Sequence, residues 1–171
     1  GPILRANDFL PQLREKMNIS ATSLRQALIH NSNLKLGVTI MAFGFMKKMF
    51  IADNIAPLVN EVFKFPIGYD SFTIIIATIA FGIQIYADFS GYTDIAIGAA
   101  LILGFKIPAN FNKPFFATSP SDFWTRWHIS LSAWVRDYCY FPLVFRLRNY
   151  DLGIIFSIMF SFMLIGLWHG A

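Results

Sequence analysis

Charged side chains are scarce in this chain of 171 residues. Asp, Glu, Lys and Arg make up 14% of it, whereas soluble domains carry about 25%. Hydrophobic residues make up 56%, and there are 19 Phe and 4 Trp. A soluble fold of this size has too little interior to bury so many rings, whereas a bilayer solvates apolar side chains from outside. The composition therefore predicts an integral membrane protein.

Cysteine is also nearly absent, since Cys139 is the single one. This excludes an internal disulfide framework, and no His or Cys lies at metal-ligand spacing from it, so no metal site is predicted. A G-x-S-x-G nucleophile elbow and a glycine-rich phosphate loop with its lysine are missing too. The net charge is +4, but the basic residues are scattered, which disfavours nucleic acid as a partner and favours membrane lipid.

The first 14 residues lack the pattern of a signal peptide. They are polar, contain Pro2 and Pro11, and do not begin with Met. The other end of the chain follows directly on an apolar stretch. We therefore expect an internal fragment of a longer protein.

The first 105 residues divide into three segments. Residues 1–33 predict a polar leader with short helices. Residues 34–63 predict an interfacial helix with Lys47 and Lys48 at headgroup level, because the uncharged stretch from Leu36 to Met46 covers only about 16 Å as a helix. Residues 71–105 predict two membrane helices, from Ser71 to Ala87 and from Ile95 to Phe105, joined at a polar elbow.

Residues 106–150 predict an amphipathic helix region on the cytoplasmic side. Six of the fourteen basic residues lie here, as the positive-inside tendency requires. Ser119 with Asp122 three residues on, and Pro120 between them, predicts a helix start. Apolar residues then recur at steps of three and four up to Tyr138, which predicts one helix of nearly five turns. Asp122 and Arg126 are expected to pair across one turn of it.

Residues 151–171 predict a membrane helix. From Leu152 onward, 20 residues contain no Asp, Glu, Lys or Arg, which suits a bilayer span. Overall, the segments predict an all-α, polytopic membrane fold with transmembrane and interfacial or re-entrant helices.

Ionisable residues within apolar sequence are costly and often functional. There are four of them: Asp88, Asp94, His128 and His169. Asp88 is interpreted as a cap of the second membrane helix, with the lining of a wet cavity between helices as the alternative. Asp94 is left open between a cavity-lining role and a structural hydrogen bond, and His128, which lies among tryptophans, between packing and chemistry. An apolar setting would keep His169 neutral near pH 7, as a general base needs.

Six stretches spread over the chain form a pattern: Gly1-Pro2-Ile3, Lys47-Lys48 with Ile51-Ala52-Asp53, the run from Tyr86 to Asp94, the run from Asn110 to Phe115, the run from Phe123 to Ser132, and Trp168-His169-Gly170. In this order they resemble the membrane-bound O-acyltransferase family. Within that family, they resemble the bacterial branch that contains the alginate O-acetylation and teichoic-acid D-alanylation proteins. The segment around 8–13 and the run 52–59 favour the alginate-like side of the branch.

The resemblance implies that the chain lies within one domain of such an enzyme. It implies transfer of an acetyl group from a cytoplasmic thioester, acetyl-CoA or an acyl carrier protein, towards a polysaccharide hydroxyl outside, directly or through a periplasmic acetyltransferase partner. No bound cofactor is expected, and the implied location is the bacterial inner membrane. His169 matches the family's essential histidine and His128 its second polar position. The expected supporting residues are Trp127, Trp168, Asp88, Asp94 and Arg126.

Three alternatives stay open. Teichoic-acid D-alanyl transfer differs only in donor and acceptor. A proton-coupled transporter or pore component would use the four ionisable residues as a relay. A non-catalytic membrane scaffold would leave the histidines and aspartates within apolar sequence unexplained.

Overall fold

The computed structural model describes residues 2–17 and 31–170, and this part of the chain is helical without a β-strand. Its α-helices are α1 (Ala6–Met17), α2 (Asn31–Phe45), α3 (Asp53–Lys64), α4 (Ser71–Ile102), α5 (Pro120–Arg126), α6 (Ile129–Val135), α7 (Phe141–Leu147) and α8 (Gly153–Trp168). Two π-helical segments, Met46–Ala52 and Arg136–Tyr140, join α2 to α3 and α6 to α7. Short 3₁₀ turns lie at Pro66–Gly68 and Pro114–Phe116. The all-α prediction is confirmed, although much of the predicted leader, residues 18–30, lies outside the described part.

The region predicted as two membrane helices is one helix, α4, of 32 residues. Its N-cap residue is Asp70, whose carboxylate accepts the backbone N–H of Thr73 at 2.9 Å. The predicted elbow at residues 88–94 was wrong, because this stretch is helical throughout and Ser90, Gly91 and Thr93 within it are buried. Helix α4 is about 48 Å long and is apolar enough to cross a membrane.

Helices α2 and α4 approach each other at two pairs of glycines. A Cβ added at Gly44 would lie 2.6 Å from the carbonyl oxygen of Gly91, and one added at Gly91 would lie 2.7 Å from that of Gly44. Gly37 and Gly98 repeat this contact one heptad away, at 2.7 and 2.5 Å. Because small residues let helix backbones touch within a bilayer, these four positions explain how α2 packs along α4.

The chain divides into two compact units, residues 1–109 and residues 110–171. The first unit contains α1 to α4. Within it, the amide of Gln12 on α1 donates to the backbone carbonyl of Lys106 at 3.0 Å and accepts its N–H at 2.8 Å. These two hydrogen bonds hold α1 to the segment that follows α4.

The second unit contains α5 to α8. Helix α8 has 16 residues and is therefore about 24 Å long. This is shorter than the bilayer core, which is about 30 Å thick. Its buried face consists of the small residues Gly153, Ser157 and Ser161, one turn apart. The Ser157 hydroxyl donates to the Gly153 carbonyl and the Ser161 hydroxyl to the Ser157 carbonyl, both at 2.7 Å. A Cβ at Gly153 would collide with the carbonyl oxygen of Leu147, so α8 packs its small face close to the end of α7.

Candidate functional site: a histidine pair beside an apolar cleft

Helix α5 begins where the sequence predicts. The Ser119 side chain accepts the backbone N–H of Asp122 at 3.1 Å, and Pro120 is the first helical residue. The predicted pair also forms, with the Arg126 guanidinium 2.7 Å from the Asp122 carboxylate. This contact lowers the pKa of Asp122. The Arg126 guanidinium therefore pairs with a carboxylate of its own helix.

The predicted single helix over 120–138 is interrupted at His128, so that prediction was wrong. Helix α5 ends at Arg126, Trp127 is extended, and α6 begins at Ile129. His128 itself has φ 43° and ψ 54°, in the left-handed region. A residue with a Cβ pays about 1–2 kcal/mol for that conformation, so tertiary contacts must impose it.

The segment that starts at Asn110 makes those contacts. The N–H of Ile129 donates to the backbone carbonyl of Asn110 at 3.0 Å. The Ser130 side chain donates to the Asn110 side-chain oxygen at 2.6 Å, and the Ser130 N–H donates to the same oxygen at 3.2 Å. An isolated antiparallel bridge joins Phe111 to Trp127. A periodicity argument cannot detect this break, because its cause lies about 18 residues earlier in the chain.

Trp127 is fixed by neighbouring rings. Its ring stacks on Phe123 at a centroid distance of 5.6 Å and meets the ring of Phe111 edge to face at 5.0 Å. The indole is half-buried. Trp127 therefore supports the extended residue before His128 by packing.

The interruption brings His128 close to His169. Their ring centroids lie 6.4 Å apart, with 67° between the ring planes. His128 is buried, whereas His169 is exposed and follows the last residue of α8, where its N–H donates to the carbonyls of Ile165 and Gly166. Gly170, with φ 78°, ends the helix in the conformation typical of a C-terminal glycine. The two histidines predicted to be catalytic thus lie side by side in the second unit.

The structure buries His128, whereas the sequence suggested an apolar setting for His169. An apolar setting was expected for His169, but its side chain is exposed, as is that of Trp168 at 70%. His128 is only 7% exposed. Its burial, together with the neighbouring His169, lowers the pKa of His128 to about 4. His128 is therefore neutral at pH 7, with one ring N–H to donate.

An open cleft of about 530 Å³ begins next to this pair. It is mostly apolar, and its walls come from α5, α6, the following π-helical segment and α8. Ile129, which follows His128, and Ile165, which accepts the His169 N–H, both line it. Trp124 and Phe162, which meet edge to face at 5.3 Å, line it further along. The cleft thus reaches the chain neighbour of His128 and the residue that holds the backbone of His169, while its lining does not include the two imidazoles themselves.

The predicted site residues of the first unit form ion pairs with lysines. The Lys47 ammonium lies 2.6 Å from the Asp94 carboxylate, and Lys48 lies 2.7 Å from Asp88 and 2.9 Å from Asp53. The pairing with Asp88 and then Asp53 raises the pKa of Lys48. The helix-cap interpretation of Asp88 was wrong, since Asp88 is in the interior of α4. Asp88 instead lines a small cavity together with Lys48, as its alternative interpretation had it. Asp94 makes the structural hydrogen bond that was one of its two open interpretations.

Sequence reasoning missed three features of these sites. Lys47 and Lys48 were assigned to lipid headgroups, although they pair with carboxylates. The close contact of α2 with α4 was not predicted, although glycines seven residues apart in both helices were a signal for it. Asn110 was noted only as part of a matching run. In residues 2–17 and 31–170, no three His, Cys, Asp or Glu side chains are placed to hold a metal ion.

Comparison with known proteins gives consistent results. The family model described as MBOAT, membrane-bound O-acyltransferase family, matches residues 1–171. A probable alginate O-acetylase AlgI of Azotobacter vinelandii is 37% identical over all of the chain and 32% of its own length. A peptidoglycan O-acetyltransferase of Helicobacter pylori is 35% identical over all of the chain and 31% of its own length. A teichoic acid D-alanyltransferase of Bacillus subtilis is 41% identical over 53% of the chain and 24% of its own length. The chain thus spans about a third of the length of the relatives that match it throughout.

Proposed function

Because the chain belongs to the membrane-bound O-acyltransferase family, we propose that it forms part of an enzyme that acetylates a polysaccharide outside the cell. The donor is a cytoplasmic thioester, acetyl-CoA or an acyl carrier protein. The acceptor is a hydroxyl of an alginate-like exopolysaccharide, reached directly or through a periplasmic acetyltransferase partner. The observation that carries this proposal is the pair of imidazoles, His128 and His169, beside an apolar cleft.

The two imidazoles have different tasks in this proposal. His169, which is exposed, accepts the proton of the acceptor hydroxyl while the hydroxyl oxygen attacks the thioester carbonyl. The carbon–sulfur bond then breaks, and the acetyl group stays on the acceptor oxygen as an ester. His169 passes the proton that it took from the hydroxyl to the leaving thiolate. His128, neutral and buried, donates its ring N–H towards the negative charge that develops on the carbonyl oxygen.

The cleft has the right chemistry for the donor. Its walls are mostly apolar and include Trp124, Ile129 and Ile165, and the pantetheine arm of a thioester donor is a thin and largely uncharged chain. Such an arm lying in the cleft would bring its thioester towards the histidine pair. The supporting aromatic residue in this arrangement is Trp127, which holds the segment before His128.

We place the enzyme in the bacterial inner membrane as a multi-pass protein, surrounded by lipid. Helix α4 is long enough to cross, and α8 is a shorter apolar helix. The α8 length suits a locally thin region of the bilayer, where donor and acceptor approach from opposite sides. The rival role as a proton relay is disfavoured, because Asp88 and Asp94 are both held by lysines.

The test uses the full-length protein in lipid vesicles with a radiolabelled acetyl thioester and the polysaccharide, with and without the periplasmic partner. His169→Ala is expected to lower acetyl transfer by about 10²–10⁴-fold, the usual contribution of a general base. Asn149→Ala, an exposed residue of the same unit, is the control and should retain the full rate. Transfer at the normal rate by His169→Ala would overturn the assignment, and preference for a D-alanyl donor would move the enzyme to the teichoic-acid side.

A further inference from the structure

Asn110 is a buried polar residue to which the mechanism assigns no role. Its side chain is 0% exposed. Its backbone carbonyl accepts the N–H of Ile129 at 3.0 Å. Its side-chain oxygen accepts both the hydroxyl and the N–H of Ser130, at 2.6 and 3.2 Å. One residue thus satisfies three donors on two consecutive residues of α6.

These contacts replace the usual cap of a helix. The first backbone N–H groups of a helix have no partner within it, and the side chain of the N-cap residue commonly accepts one of them. His128 occupies the N-cap position of α6, but its side chain makes no capping hydrogen bond. Asn110 supplies the acceptors instead, from the segment that crosses the break between α5 and α6.

The replacement determines where the His128 ring lies. A side chain that capped α6 would turn back onto its first turn, whereas the His128 ring faces His169 at 6.4 Å. The left-handed backbone of His128 is costly and persists only where neighbouring contacts impose it. Those contacts are the hydrogen bonds to Asn110 on one side and the bridge between Phe111 and Trp127 on the other.

We propose that Asn110 is a positioning residue of the acyl-transfer site, which caps α6 in place of His128 and so holds the His128 imidazole opposite that of His169. The proposal rests on the acyltransferase function proposed above. Asn110 acts through His128 and touches no reacting atom. A misplacement of about 1 Å in a catalytic group costs about 10²-fold in rate, so the loss of this cap affects turnover more than substrate binding.

The test measures acetyl transfer by the full-length protein in vesicles, normalised to the amount of folded protein. Asn110→Ala is expected to lower kcat by about 10–100-fold and to change the KM for the donor by less than about threefold. Asn112→Ala is the matched control, because Asn112 is exposed and lies two residues further along. Equal kcat for Asn110→Ala and the wild type would overturn the proposal.

A double-mutant cycle separates positioning from a general role in folding. If Asn110 acts through His128, the double variant Asn110→Ala with His128→Ala is no slower than His128→Ala alone, whereas independent effects multiply. A multiplied loss would overturn the proposal. Should Asn110→Ala fail to accumulate, Ser130→Ala removes the 2.6 Å hydrogen bond alone, and its smaller loss must show the same non-additivity with His128→Ala.

The His169→Ala variant distinguishes a failure of the proposed acyltransferase function from a failure of the role proposed for Asn110. If His169→Ala transfers acetyl groups normally, the catalytic assignment itself fails. If His169→Ala is inactive while Asn110→Ala has the wild-type kcat, the assignment stands and the role given to Asn110 is wrong.

Discussion

In the first unit, residues 1–109, the charged side chains along α4 are held by ion pairs, whereas in the second unit, residues 110–171, two imidazoles face each other beside an apolar cleft. Lys47 and Lys48 neutralise Asp94 and Asp88. His128, by contrast, is kept neutral by its own burial. The first arrangement suits a membrane helix that must remain intact, and the second suits proton transfer.

The two units show that the presence of an ionisable residue within apolar sequence has two possible physical explanations. Such a residue can be retained because a partner of opposite charge makes it tolerable, or because its chemistry is needed. Composition cannot separate the two explanations, because both put the same residue types in the same kind of sequence. The following predictions test whether structure and chemistry really divide between the two units in this way.

The largest structural effect is expected at the glycine contacts of the first unit. Gly91→Ala places a Cβ 2.7 Å from the Gly44 carbonyl oxygen, so α2 and α4 must move apart. We expect the full-length protein in detergent to lose about 2 kcal/mol of unfolding free energy, within the range for overpacked sites. Thermal unfolding measures this loss.

Gly82→Ala is the matched control for that experiment. Gly82 lies in the same helix, but a Cβ there meets nothing within 4 Å. Alanine should therefore be neutral or stabilise by up to about 1 kcal/mol through its helix propensity. Equal effects at Gly82 and Gly91 would contradict the close helix contact. A loss of acetyl transfer per folded molecule in Gly91→Ala would contradict the division between the units.

A smaller effect is expected from the ion pair between Lys47 and Asp94. Both side chains are about a quarter exposed, so solvent weakens the penalty of leaving one alone. Lys47→Met should cost about 1–2 kcal/mol, less than for a fully buried pair, and adding Asp94→Leu should restore most of it. Lys35→Met, at an exposed position of α2, is the control.

The same variants test the relay hypothesis. Acetyl transfer per folded molecule should stay within about twofold in the double variant, because neither residue is assigned to the chemistry. A large loss of transfer in the stable double variant would return Asp94 to the catalytic group and break the comparison.

The smallest effect is a pH dependence of stability at His128. Its pKa falls from 6.5 to about 4 on folding, so the unfolded chain binds more protons between these values. Stability therefore decreases as the pH falls from 6.5 towards 4. Over pH 6.5 to 5 we expect His128 to contribute on the order of 1 kcal/mol of this loss. Unfolding midpoints at pH 7 and pH 5 should differ less in His128→Gln than in the wild type, and equal acid sensitivity would contradict the buried neutral state.

Much of the local structure could be predicted from the sequence. The start of α5 depends on Ser119, Pro120 and Asp122, and these act within one helical turn. The pairing of Asp122 with Arg126 depends on the same turn. Features of this kind are determined by residues three or four positions apart, which a sequence displays directly.

The errors have a common physical origin. A polar stretch at 88–94 was taken as an elbow, but its aspartates are held by lysines about 40 residues earlier, so the helix continues. The periodic stretch over 120–138 was taken as one helix, but the segment at Asn110 binds the backbone after His128 and interrupts it. In both places a partner distant in sequence overrode the local pattern.

The sequence by itself determined the membrane character, the all-α class and the family, because composition and motifs do not depend on how the chain folds back on itself. It also singled out His128 and His169 as candidate catalytic residues. Only the tertiary structure decided which histidine is buried, that α4 is continuous, and that His128 lies at a break opposite His169. The reason is that desolvation, ion pairing and backbone capping depend on distances between residues far apart along the chain.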